Sequence, residues 1–65
     1  MEKQTCTFVF EKGTKNTVRY KEQVDGKPPV VGALYVQKWA LGGKPPKTLT
    51  MVVEPVGDET VELDD

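Results

Sequence analysis

Four cations fall within ten residues of this chain: Lys12, Lys15, Arg19 and Lys21. Lys and Arg at such density follow a phosphate backbone, because each one displaces counterions condensed on the nucleic acid. Aromatic side chains complete that chemistry when they offer flat faces on which bases stack, worth ~1–3 kcal/mol each. The candidates are Tyr35 and Trp39, the latter beside Lys38, with Lys44 and Lys47 following. The candidate nucleic-acid-binding set is therefore Lys12, Lys15, Arg19, Lys21, Tyr35, Lys38 and Trp39. A competing use exists for both aromatics. Large rings dominate the energetics of small cores, so Trp39 is expected to close the open end of the core and Tyr35 to pack in a barrel or a dimer.

Catalytic chemistry is poorly provided for. The chain has no histidine, the usual proton carrier near neutral pH, and no serine. Cys6 stands between Thr5 and Thr7 in an inward register, where a free cysteine acts as a small hydrophobe. No Cys-His pair can activate it. Adjacent acids such as Asp58-Glu59 and Asp64-Asp65 are read as solvated charge. "GGKPPK" lacks the spacing and the Lys-Ser/Thr ending of a phosphate loop. The expectation is a protein that is not an enzyme and needs no cofactor or metal. A structural zinc site is disfavoured by one cysteine and no histidine.

Charge is segregated along the chain. Residues 1–53 hold all nine Lys and Arg against only Glu2, Glu11, Glu22 and Asp25, a net of +5. Residues 54–65 hold Glu54, Asp58, Glu59, Glu62, Asp64 and Asp65 with no base. Such asymmetry is a cue for charged partners, although mixed charge also serves plain solubility.

The elements that must position these residues are strands. In "QTCTFVFEK", Cys6, Phe8 and Phe10 alternate with Thr5, Thr7 and Val9, the period of a strand with one buried face. "KGTKN" supplies a turn through Gly13 and Asn16. "TVRYKE" alternates again, with Val18 and Tyr20 on one side and Thr17, Arg19 and Lys21 on the other, so the two runs form a hairpin. "QVDGKPP" is a loop. "VVGALYVQK" is apolar on both faces, which predicts a central strand or one at a subunit contact. "KWALGG" holds one helical turn near 38–42, with Gly42 at its end. "TLTMVVE" is the fourth strand and forms a second hairpin-like unit with the third. The fold class is thus all-β: a small antiparallel sheet or half-open barrel of four to five strands with one helical turn. Residues 1–54 form a single domain, and 55–65 an acidic tail, disordered or adding a short edge strand through Val61 and Leu63.

A chain of 65 residues buries only about 60% of its unfolded surface. With one cysteine it has no internal disulfide, so a homodimer is the expected support. The opening "MEKQTCTFVFEK" lacks the apolar run of a secretory leader, and no segment approaches the ~20 apolar residues of a membrane span. A cytoplasmic location and no membrane partner are expected.

Two resemblances rest on particular residues. "TKNTVRYKE" together with "GALYVQKWALGG" resembles a family of short uncharacterised bacterial proteins, which implies no activity. "LYVQKWALGGKPPKTLTMVVE" is similar to the strand, helix and strand of AbrB-type swapped-hairpin DNA-binding proteins, through Lys38, Leu41, Gly42 and the strand from Thr48 to Glu54. Gln37 stands where that family has proline, and the helix is shorter. This second resemblance implies a dimer that binds duplex DNA through basic loops. Two functional readings follow for the chain: a non-catalytic module that binds nucleic acid through a basic hairpin face, regulated by an acidic tail, or a protein–protein interaction or dimeric structural module.

Overall fold

The structure, a computed structural model, describes residues 1–64. Four strands and one helical turn follow in the order β1 (Gln4–Gly13), β2 (Thr17–Glu22), β3 (Ala33–Gln37), α1 (Lys38–Leu41) and β4 (Thr48–Val53). All neighbouring strands are antiparallel, and their order across the sheet is β3-β2-β1-β4. The sheet curls into a half-barrel, one of the two arrangements the alternating patterns allow.

β1 and β2 form the expected hairpin. Its turn is held by the side chain of Thr14, whose Oγ1 accepts from Thr17 N–H at 3.1 Å, while Thr14 N–H donates to the Thr17 carbonyl at 2.8 Å. The threonine pair therefore closes the turn, and neither Gly13 nor Asn16 adopts a positive φ. Pairing runs Phe8 to Glu22 and Phe10 to Tyr20, then shifts so that Lys12 faces Arg19. The extra residue is Glu11, a bulge that leaves Glu11 and Lys12 both beside Arg19.

The inner face buries Cys6, Phe8, Val18 and Tyr20, with Leu34, Val36, Leu41, Leu49 and Met51 packed around them. Phe8 and Tyr20 are fully buried. The Phe10 ring meets Tyr20 edge to face, with centroids 6.2 Å apart. Because burial raises the Cys6 thiol pKa, helped by the Glu22 charge, the sulfur stays a neutral core atom. Cys6 is accordingly expected to resist a thiol reagent such as DTNB under native conditions and to react in full once ~6 M guanidinium is added. Rapid, stoichiometric labelling of the folded protein would contradict its place in the core.

Three expectations are corrected here. The third strand does not start at Val30 and is not central. It begins at Ala33 and lies at a sheet edge, with Val30 and Val31 exposed. The backbone N–H groups of Val30, Val31 and Gly32 bind the Glu22 carboxylate, so Val30 and Val31 fold toward a side chain, and of the three only Gly32 continues the ladder, its carbonyl accepting from Glu22 N–H. Nor do the third and fourth strands pair. They occupy opposite edges, and β4 pairs with the free side of β1. Residues 38–47 must therefore cross the sheet, and they do so over the inner face. Leu41 packs on the core, and the Tyr20 hydroxyl donates to the Pro46 carbonyl at 2.8 Å. The third correction follows from that crossing: Leu41 and the proline loop cover the core, and Trp39 does not, being 84% exposed. One turn of helix presents only one side to the core, and Leu41 takes it. Tyr35 is likewise exposed on the outer face.

The helical turn and its glycine end are where the sequence puts them, with Gly42 at φ 75. Residues 54–64 add no strand. No helix of the described residues is long and apolar enough to cross a membrane.

Candidate nucleic-acid interface

The outer face of the sheet collects the residues whose parity opposes Phe8, Val18 and Tyr20. Strand register sets Lys12 opposite Arg19 and Arg19 opposite Tyr35, so the three lie side by side across β1, β2 and β3. One row on, Lys21 stands between Val9 and Ala33. Thr5, Thr7, Thr48 and Thr50 extend the face as exposed hydroxyls.

Arg19 is the most constrained of the cations. Its guanidinium carbon sits 5.6 Å from the Tyr35 ring centroid, and Nη1 donates to the Tyr35 hydroxyl at 3.2 Å. Nε lies 3.1 Å from Glu11 Oε1. That contact is an ion pair in distance only, since the Nε–H does not point at the carboxylate and has no hydrogen-bond acceptor. With both side chains about one-third exposed or more, water screens the pair and it adds little stability. Its chemical effect is to offset part of the Arg19 charge and to hold the guanidinium over Tyr35. The exposed face thus carries a preorganised cation-aromatic unit flanked by Lys12 and Lys21.

The remaining candidates lie at one end of the sheet. Lys15 is in the β1–β2 turn, and the Lys38 N–H donates to the Asn16 carbonyl at 2.9 Å, so α1 begins against that turn. Lys38 borders the inner side, where with Phe10, Val18, Leu41 and Pro45 it lines a cleft of about 260 Å³. The structure thus brings Lys12, Arg19, Lys21 and Tyr35 onto one face, sets Lys15 and Trp39 at its end, and turns Lys38 toward the other side. The acidic tail leaves β4 next to Gln4, at the far end of β1 from Lys12. Nine residues of strand separate those ends, about 30 Å. Among the described residues the tail forms no ion pair with these cations.

Two acids matter more than their sequence setting suggested. Glu11 modifies Arg19 because the bulge puts it there, and no pattern announces a bulge at that position. Glu22 was legible in principle. It shares parity with Val18 and Tyr20, so it must point inward, and an inward carboxylate requires donors. Its three backbone donors hold its pKa below the ordinary carboxylate value against the opposing effect of burial.

The fold and this face define a small curled antiparallel-sheet domain with a cationic, aromatic outer surface. Comparison with protein-family models, with curated proteins and with solved structures gives no match.

Proposed function

We propose that this chain is a non-catalytic binding module whose outer sheet face engages single-stranded nucleic acid. The observation that carries the reading is the row Lys12, Arg19 and Tyr35 across three strands. Lys12, Lys15, Arg19 and Lys21 contact phosphates, while Lys38, which lines the cleft on the inner side, lies outside this set. Bases stack on Tyr35, held by Arg19, and on the exposed ring of Trp39. The acidic tail leaves β4 at the far end of β1 from Lys12, but residues 54–64 span roughly 35 Å when extended, enough to reach the cations and compete with phosphates for them.

The test is fluorescence anisotropy of a labelled single-stranded oligonucleotide with Trp39 emission recorded alongside. About four phosphate contacts predict a roughly 50-fold loss of affinity between ~50 and ~200 mM salt, from the single-strand counterion slope. Trp39 emission should be quenched on binding, and Lys12→Glu with Lys21→Glu should abolish it. A duplex of the same sequence should bind more weakly; preference for the duplex would favour the basic-loop mode implied by the AbrB-type resemblance. Absence of binding at ~50 mM salt, both for the full chain and with Asp58, Glu59 and Glu62 neutralised, would end the proposal.

A second reading, a protein–protein interaction or structural module, rests on a separate observation. Both edges of the sheet, β3 and β4, are open. Open edges accept strands from other chains.

A further inference from the structure

The two open edges differ in a way that selects a partner. β4 reads Thr48-Leu49-Thr50-Met51-Val52-Val53, with no charge, proline or bulge to discourage pairing. The Lys47 carbonyl accepts from Phe10 N–H of β1 at 2.8 Å. Backbone groups alternate sides along a strand, so Leu49, Met51 and Val53 also bond toward β1. The N–H and C=O groups of Thr48, Thr50 and Val52 therefore face the open edge.

The charge flanking β4 is asymmetric. The segment leading in carries Lys44 and Lys47, and the segment leading out carries Glu54, Asp58 and Glu59. In an antiparallel pair of two such strands, Glu54 at the exit of one stands next to Lys47 at the entry of the other, with Lys44 further back in the crossing over the inner face. β3 lacks this property. Its lead-in carries Asp25 and Lys27, which offset each other, and Lys38 follows it, so an antiparallel self-pair there gains no match of opposite charges.

The geometry points to a two-fold dimer of this chain made by antiparallel pairing of β4 with its own counterpart. Thr50 lies opposite Thr50 on the axis, and Thr48 lies opposite Val52. This register uses all three outward-facing residues and keeps inner side chains opposite inner ones, with Leu49 facing Met51. It joins two four-stranded half-barrels into one continuous sheet and extends the half-buried row Leu49, Met51 and Val53 across the junction. The outer-face cations lie on β1 and β2, away from the seam, so the dimer stands or falls independently of nucleic-acid binding.

Analytical ultracentrifugation at ~100 µM chain and ~50 mM salt tests it. The chain should sediment at about twice its monomer mass. Thr50→Pro removes an outward N–H that the β1 ladder does not use, so the variant should keep its strand circular dichroism and weaken dimerisation by at least roughly 100-fold. A charge exchange supplies a test that leaves the β4 backbone untouched. Lys44→Glu with Lys47→Glu should be monomeric, as should Glu54→Lys with Asp58→Lys, because each opposes like charges. Mixing the two variants should restore a dimer, since both seams then pair opposite charges. A monomeric wild-type chain, a dimer indifferent to Thr50→Pro, or a mixture that fails to reassociate would each overturn the inference.

Discussion

Glu22→Ala is expected to lower the melting temperature by on the order of 10 °C or more, the largest effect of any single charged-residue change in this chain. The carboxylate accepts from Val30 N–H at 3.0 Å through Oε2, and from Val31 and Gly32 N–H at 2.7 and 2.8 Å through Oε1. Its own N–H donates to the Gly32 carbonyl. The side chain therefore pins the far end of the 23–32 loop to β2 and fixes where β3 begins. Hydrogen bonds to an ionised acceptor are about twice as strong as neutral ones, and removing the acceptor leaves donors without partners. In a domain this small, modest losses of stability move the melting point by several degrees.

The same contact sets a pH dependence with a definite sign. The three donors lower the folded-state pKa of Glu22 below the ordinary value of 4.5. The unfolded chain therefore binds the proton first as pH falls. The stabilisation is complete above the ordinary glutamate range and is lost as pH drops through it toward the lower folded-state value. Melting curves from pH 7 to pH 3 should show this decline in the wild type. Glu22→Gln, which retains one acceptor oxygen but no charge, should be less stable at pH 7 and nearly flat over the same window, apart from the contribution of the other carboxylates. Added formate should recover part of the loss in Glu22→Ala by occupying the vacated donors. If the wild type and Glu22→Gln show parallel pH profiles, the loop is held by something other than this carboxylate.

Phe8→Ala is expected to remove a large part of the chain's folding stability at 25 °C and to move its urea midpoint far below that of the wild type. Phe8 is fully buried between the two flanking strands of β1, opposite Leu49 on one side and Glu22 on the other. Truncating a buried phenylalanine costs about 3–5 kcal/mol. At ~0.05–0.15 kcal/mol per residue, a 65-residue chain has only roughly 3–10 kcal/mol in total. Only four residues make up the buried core, and the cover over it is thin, one helical turn and a proline loop. Phe8→Leu keeps most of the volume and should remain folded. Urea titration followed by far-ultraviolet circular dichroism distinguishes these outcomes. A cooperative Phe8→Ala transition with a midpoint near that of the wild type would mean that stability resides outside this core.

How far the sequence could be read depends on the range of each interaction. The β1–β2 hairpin was legible because its two runs are adjacent and alternate with period two, and a slip of one residue would send Phe8, Val18 and Tyr20 to water. The same parity placed Arg19 and Lys21 on the outer face and Cys6 inside. The helical turn was legible from Ala40, Leu41 and Gly42, all local signals. The row of Lys12, Arg19 and Tyr35 was not, because it depends on the Glu11 bulge and on which side of β2 accepts β3.

The alternation of residues along β1, β2 and β4 determined that this chain forms a small antiparallel sheet with an apolar side and a cationic side, since side-chain parity is a property of the strand itself. The tertiary structure alone decided that β4 joins β1 and not β3, that Leu41 and Pro46 roof the core while Trp39 faces solvent, and that Glu22 gathers the backbone of Val30 to Gly32. Each of these is a choice between distant segments offering similar local chemistry, and it is settled only when the inner face is covered and the inward Glu22 carboxylate has its donors.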